Sequence, residues 1–551
     1  MPILGDFHGT HCDHHQLVVA FWHLKVDMDI PVPRGCFRLP KGYLMIICCR
    51  FVLLALLAIW CAETPASGQA ANSRQNSEVI VVDASAPTHE FPHFWEKMFG
   101  SGRAILTLRE GYREDLRAVK MVTNFEYVRF HAIFHDEIGL YREDAQGHPV
   151  YNFSYIDQIY DGLLANGVRP FIEIGFMPRE LASDKNALHS FWYKPNVSPP
   201  KSYTKWDEMI RQFAQHMVDR YGINEVSEWY FEVWNEPNLD FWAGDPKQPT
   251  YFELYDHTAR AIKGVNGRLR VGGPATAQAA WADAFIRYCA ENAVPVDFVS
   301  THVYGNDASR DVFGTDEKIS RDEMVCRAVK KVHEQILAST MPRLPLVWSE
   351  FNASYMNEPS VTDAAYMGPW LADTIRRCDG LVQMMSYWTF SDVFEEQGVV
   401  RQPFYGGYGL IAEGGIPKPA FGAFALLHRL GDERIEVDSS FVLATRRKGG
   451  TRVVAVWNYA PPNQSADTKT VTLQFKGGGM ARRAAIWRVD EKHGDAHAAY
   501  EAMGSPPDPT VAQIVALRKA AQVPSVERRK LHNGELTITI PAHGLALIEV
   551  N

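Results

Sequence analysis

From about Lys97 to Leu427 the chain alternates short β-branched or aromatic runs with longer stretches whose apolar residues recur every three or four positions. That alternation is the signature of repeated βα units around a parallel sheet. Strands are expected at YVRFHAIF (127–134), RPFIEIGFM (169–177), EWYFEVWNE (228–236), RLRVGGPA (268–275), DFVSTHVYG (297–305), LPLVWSEFN (344–352) and VQMMSYWTF (382–390), and a weaker opening strand at KMFGSG (97–102) completes a set of eight. Between them, Ile156, Ile159, Tyr160, Leu163 and Leu164 fall on one helical face, and Asn166-Gly167 supplies a left-handed stop. Trp206, Met209, Ile210, Phe213 and Met217 form a second stripe, with Thr204 expected as N-cap and Gly222 as terminator. Both stripes read as core rather than ligand site.

Beyond Leu427 the texture changes to strands and turns: FVLATRR (441–447), a Lys448-Gly449-Gly450 turn, then TRVVAVWNYA, KTVTLQFK, ARRAAIWRVD and ELTITIPAHGLALIEV. The expected fold is therefore α/β, a (β/α)8 TIM barrel over residues 97–427 with an accessory antiparallel β-sandwich over 428–551. The β-rich run SEVIVVDAS (77–85) stands apart from the barrel, and residues 78–96 are assigned to the sandwich from the other end of the chain. MGSPPDPT (503–510) leads into a short helical stretch that interrupts the sandwich as a long loop.

Residues ahead of the first strand read as targeting. Arg50 flanks an apolar run from Phe51 to Cys61, with Gly68 and Ala70 as small residues before a cleavage point, so 45–70 is expected to be a signal peptide and 71–77 a linker. The run is shorter than the roughly 20 residues a membrane span needs, so a secreted or periplasmic product without a stable span is expected. Residues 1–44 lie where a short basic region would suffice, and Met45 is the expected start; His11, Cys12, Asp13, His14 and His15 resemble a metal cluster in a leader that offers no rigid frame. Five of eight cysteines fall in these segments, and the remaining Cys289, Cys326 and Cys378 are an odd, widely spaced set that suggests neither a disulfide framework nor a zinc site.

Composition narrows the chemistry. A content of 46% hydrophobic and 22% charged residues is globular, and a net charge of −9 without clustered Lys and Arg argues against a nucleic-acid partner. No HExxH motif and no glycine-rich phosphate loop after a strand occur, so metalloprotease and nucleotide-enzyme readings are weak.

The sharpest chemical signal is FEVWNEPN (231–238), a strand that ends in Asn235-Glu236 and is stopped by Pro237. LVWSEFN places Glu350 at the corresponding end of a later strand. Counted along the chain these are strands four and seven, which face each other across a barrel mouth, where such folds keep their chemistry. Two facing carboxyls suit glycosidic cleavage, Glu236 protonating the leaving oxygen and Glu350 attacking the anomeric carbon, with a retaining separation of about 5–5.5 Å expected. Asn235 is a candidate partner for the sugar 2-hydroxyl. No metal or cofactor is implied, because this mechanism runs on carboxyls.

The combination of VWNEPN, SEFN and SYWTFSDVFEE (386–396), with RFHAIFHDE (129–137) and EIGFMP (173–178), resembles glycoside hydrolase family 39, the family of β-xylosidases and α-L-iduronidases. The resemblance spans about residues 78–550 and implies Glu236 as acid/base and Glu350 as nucleophile. It further implies sugar contacts at His131, Asn235, His302, Tyr304, Trp388, Glu395 and Glu396. Glu395 and Glu396 are expected to form an acceptor-rich end wall, which fits an exo-acting pocket for xylose and would repel a uronate. Other family specificities (α-L-iduronidase, β-glucosidase, α-L-arabinosidase) and a non-catalytic carbohydrate-binding protein are the alternatives. The expected partner is an oligosaccharide or glycoside, and a homo-oligomer is left open.

Overall fold

The computed structural model describes residues 78–477 and 482–550. The leader, signal peptide and linker assigned to 1–44, 45–70 and 71–77 lie outside the described residues. Eight parallel strands close into a barrel: β1 (Met98–Gly100), β2 (Tyr127–Phe130), β3 (Arg169–Ile174), β4 (Tyr230–Val233), β5 (Arg270–Thr276), β6 (Phe298–Tyr304), β7 (Leu346–Asn352) and β8 (Met384–Tyr387). Closure is made where Ser386 and Tyr387 of β8 pair with Met98 and Phe99 of β1. Long helices follow the strands: α1 (Glu110–Lys120), α2 (Ser154–Ala165), α3 (Tyr203–Tyr221), α4 (Lys247–Val265), α5 (Ala282–Glu291), α6 (Arg321–Ala338), α7 (Met367–Cys378) and α8 (Pro419–Leu427). The eight-stranded α/β barrel is the one the hydrophobic pattern predicts.

Alternation along the strands builds the interior in layers. Met98, Tyr127, Phe171, Tyr230, Phe298, Val347 and Met384 pack together as an apolar plug near the strands' N-terminal ends. Two residues further along, and therefore on the same inward face, stand Gly100, Arg129, Glu173, Glu232, Ser300, Ser349 and Ser386, all buried. The floor of the mouth is thus polar and dry, lying directly on hydrocarbon.

Helix α3 begins two residues earlier than the pattern suggests: Ser202, not Thr204, is its N-cap, its hydroxyl accepting from the Lys205 amide at 3.4 Å. Ser202 is in extended backbone while Thr204 is already helical, and only the former geometry aims a side-chain oxygen at the first turn. Gly222 (φ 79°) and Gly167 (φ 68°) do end α3 and α2 in the left-handed region.

A correction concerns sulfur. Cys326 on α6 and Cys378 on α7 are joined by a disulfide across neighbouring helices, with Cα atoms 5.3 Å apart, while Cys289 is free and buried. Linear spacing hid the pair because helix packing, not sequence proximity, brings the two positions together.

Among the described residues the remaining strands form two short ribbons, Tyr141–Glu143 with Pro149–Tyr151 and Ile411–Ala412 with Ile416–Pro417, and two larger sheets. One has seven strands in the spatial order Thr88–Glu90, Glu433–Ile435, Val442–Arg446, Arg452–Asn458, Gly544–Val550, Arg483–Val489 and Glu527–Lys530. The other places Lys469–Lys476 between Glu78–Asp83 and Glu535–Ile540. Among the described residues every pairing in these two larger sheets is antiparallel except one, since Glu78–Asp83 runs parallel to Lys469–Lys476. The purely antiparallel expectation fails there because this strand comes from the far end of the chain and is bound by no hairpin. Helix α7 packs on the strands Arg452–Asn458 and Gly544–Val550, joining sandwich to barrel. No helix among the described residues is long and apolar enough to cross a membrane.

Candidate active site

The C-terminal ends of the barrel strands open on a cavity of about 420 Å³. Glu236 and Glu350 both line it, and one carboxylate oxygen of each lies within 4.8 Å of the other. Glu350 sits inside β7, whereas Glu236 lies three residues beyond the end of β4. Trp234 (φ 72°) and Glu236 (φ 42°) both hold left-handed backbone that ordinary side chains disfavour. Hydrogen bonds from the Trp234 amide to the Ile174 carbonyl (3.1 Å) and from the Glu236 amide to the Ala275 carbonyl (2.7 Å) hold the turn against the strands on either side.

Glu350 is held by two donors, Arg129 Nη1 on Oε1 and the Tyr304 hydroxyl on Oε2, each at 2.6 Å. Arg129 is fully buried and shared, donating also to Glu232 Oε2 (2.6 Å) and Asn235 Oδ1 (2.9 Å), with Glu173 Oε2 at 3.0 Å. Burial opposes its charge, but Glu232, Glu173 and Glu350 together hold the guanidinium protonated. Burial and the neighbouring carboxylates push the Tyr304 phenol well above its usual range, so it remains a donor.

Burial raises Glu236 well above the ordinary carboxyl range, and the charges of Glu350 and Asp307 add to this. Burial raises Glu350 as well, but Arg129, His131 and Tyr304 pull it back. A single proton on the pair therefore rests on Glu236. Asp307, itself pushed up to about 6 chiefly by burial, lines the same cavity.

Two histidines take opposite states. Burial, Arg129 and His131 drive His302 far below its usual value, so it is neutral; its Nδ1 lies 3.0 Å from Glu236 Oε1 and its Nε2 3.1 Å from the Ser349 hydroxyl. Burial also opposes charge on His131, but Glu173 at 2.6 Å and Glu396 at 3.5 Å outweigh it and raise the imidazole to about 10. Trp388 lies 4.8 Å from His131, ring centre to ring centre. The space for its indole exists only because residue 100 is glycine: a Cβ there would lie 2.1 Å from the Trp388 ring.

Of the nine residues singled out from sequence, His131, Asn235, Glu236, Tyr304, Glu350, Trp388 and Glu396 line the cavity. His302 lies behind Glu236 and is wholly buried. Glu395 is not brought to the cavity. It sits on a left-handed turn (φ 63°) and is neutralised by Arg103 and Arg109, each with an Nη atom 3.1 Å from its Oε2. Adjacent residues on such a turn point apart, so the expected acidic end wall reduces to Glu396.

Sequence reasoning gave no role to Arg129, Glu173 and Glu232, although a charged residue at the inward position of an apolar strand was a usable signal. Gln278 reaches the cavity from a short 3-10 turn (Ala277–Ala279), and Phe191, Asp307, Tyr355, Gln397 and Tyr408 reach it from loops whose course no periodicity describes.

Known proteins share this architecture. The profile of "Glycosyl hydrolases family 39" matches residues 78–537. A β-xylosidase from Geobacillus stearothermophilus is 39% identical over 483 residues, covering 86% of this chain and 95% of the relative. The crystal structure of a monomeric β-xylosidase from Caulobacter crescentus CB15 superposes with a TM-score of 0.78 at 36% identity, covering 86% of this chain and 99% of that one. The family 39 enzyme of Xanthomonas axonopodis pv. citri gives 0.77 at 32% identity, over 88% and 99% of the two chains. On the strength of the profile match and of these relatives, this chain belongs to glycosyl hydrolase family 39.

Proposed function

We propose that the protein is a retaining, exo-acting β-xylosidase that releases xylose from xylo-oligosaccharides, with Glu236 as acid/base and Glu350 as nucleophile. The observation that carries this reading is the asymmetry of the pair: two carboxyls within 4.8 Å, one held by Arg129 and Tyr304, the other beside a neutral histidine. That spacing suits direct attack, whereas inversion needs about 6.5–9.5 Å to admit a water between carboxyl and sugar.

Glu350 attacks the anomeric carbon as the bond to the leaving oxygen breaks, and the proton of Glu236 passes to that oxygen. The products are a glycosyl ester on Glu350 and a free aglycone. Glu236, now ionised, takes a proton from water, the resulting hydroxide attacks the anomeric carbon, and Glu350 departs as carboxylate. Neutral His302 serves this cycle: Nδ1–H donates to Glu236 Oε1 and the Ser349 hydroxyl donates to Nε2, which leaves Oε2 to carry the mobile proton. Asn235, oriented by Arg129, is offered to the sugar 2-hydroxyl.

Three supports favour xylose. Relatives named β-xylosidase share over a third of their residues with this chain. Trp388 supplies an apolar floor for a sugar ring, and Glu396 accepts hydroxyl protons while repelling a uronate. The test is a panel of aryl glycosides (xyloside, glucoside, arabinoside, iduronide), with the product anomer read by NMR. The xyloside should be hydrolysed at least tenfold more efficiently than the others, with retention; a preference for iduronide, or an inverted product, refutes the assignment.

We also infer export to the extracellular or periplasmic side. The apolar run from Phe51 to Cys61 and a disulfide between Cys326 and Cys378 suit an oxidising compartment. N-terminal sequencing of exported enzyme should begin just after Ala70.

A further inference from the structure

We propose that His93, Glu96 and His428 form a structural site for a divalent cation of the zinc type, at the end of the barrel opposite the catalytic mouth. His93 and Glu96 lie on the segment entering β1, and His428 caps α8, so the cluster ties the first strand to the last helix. One ligand-competent atom from each residue falls within 4.8 Å of the others. His93 Nδ1 lies 2.8 Å from Glu96 Oε1, and His428 Nδ1 lies 2.9 Å from Glu96 Oε2. Zinc bonds of about 2.0–2.2 Å in a tetrahedron place ligand atoms about 3.3 Å apart, so small outward shifts would admit the ion.

The second nitrogen of His93 sharpens the argument. Its Nε2 faces the Gly431 carbonyl at 3.4 Å, and a carbonyl can only accept, so that nitrogen carries the hydrogen. Nδ1 then turns towards a carboxylate oxygen and needs a cation or a second proton between them. Metal-bound histidines show the same arrangement, one nitrogen on the ion and the other donating to a backbone carbonyl. The His93 ring is fixed by Trp95, 4.4 Å away between ring centres, and by Phe91 at 5.8 Å. Glu96 is wholly buried, whereas His93 and His428 border a cleft of about 770 Å³ that gives an ion an entry path and a water as fourth ligand. Arg447 and Lys448 border this cleft too, but Glu90, Asp432 and Glu433 balance their charge.

The experiment strips the full-length protein with a chelator, adds one equivalent of ZnCl2, and measures metal per chain after desalting, together with the thermal midpoint. The expected result is one zinc per chain and a midpoint raised by about 3 °C or more at saturating metal. His428→Gln, at a half-exposed position, and Glu96→Gln should both lose the zinc and the rise. His428→Gln should keep its aryl-xyloside turnover, since it lies away from the mouth. Cobalt in place of zinc should give an intense visible band of tetrahedral type, absent from His428→Gln. Failure to retain zinc overturns the proposal. Equal zinc uptake by wild type and His428→Gln overturns it as well, because the ion would then lie elsewhere.

Discussion

At the scale of single residues, the proposed roles separate by leaving group. Glu350→Ala should lower turnover of every substrate by about four orders of magnitude, since no other carboxylate can form the ester. Glu236→Ala should spare activated aryl xylosides in the first step and cripple xylobiose, because a good aryloxide departs without protonation. Equal losses on both substrates would falsify the acid role. Burial holds both carboxyls above the ordinary range, so kcat/KM should rise as Glu350 ionises and fall as Glu236 loses its proton, a bell displaced to higher pH than unperturbed glutamates would give. Tyr304→Phe removes a donor to the ionised nucleophile; it should cost about 10- to 100-fold in kcat and move the acidic limb upward. At this scale Glu236 and Glu350 were legible because each stands near the C-terminal end of a strand in a distinctive setting. Arg129 was not, since its meaning depends on four acceptors drawn from three strands or their ends.

At the scale of elements, α1 carries a buried acid that reports on packing. Asp115 accepts from the Ser391 hydroxyl at 2.6 Å, and burial pushes it up to about 8. Its folded pKa is thus above the unfolded value of about 3.9, so the folded state holds a proton that the unfolded chain loses. Stability therefore falls as pH rises from about 4 to 8 and levels off above. Asp115→Asn abolishes that slope, and its thermal midpoint should gain on wild type from pH 5 to 8, then run parallel. The disulfide between α6 and α7 closes a separation of 52 residues, and its removal by Cys378→Ser should cost about 2–5 kcal/mol, read by denaturant unfolding. Strands and helices of the barrel were readable because each repeats its own period. The cap at Ser202 and the cysteine pair were not, because one rests on a single backbone angle and the other on helix packing.

At the scale of the whole molecule, the barrel's inward face changes from apolar to polar within two residues on most of its strands, which sets the reacting groups on a rigid base. Gly100→Ala should disturb that arrangement from below. The added methyl meets the Trp388 ring, so xylose affinity should drop while the far-ultraviolet spectrum is unchanged. The barrel could be foreseen from order along the chain alone. The sandwich could be foreseen only in outline, since alternation does not say which strand lies beside which or in what direction.

The parallel pairing of Glu78–Asp83 with Lys469–Lys476 reaches from one margin of the fold to the other, Glu78 meeting Val471. During synthesis the early partner must wait roughly 390 residues for the late one, and ribosomal elongation at about 5–20 residues per second makes that an interval of some tens of seconds. Throughout it Ile80 and Val82, apolar and afterwards covered, remain open to other nascent polypeptides. Completion of this protein is therefore a terminal event, timed by the arrival of its last segments rather than by the barrel that does its chemistry.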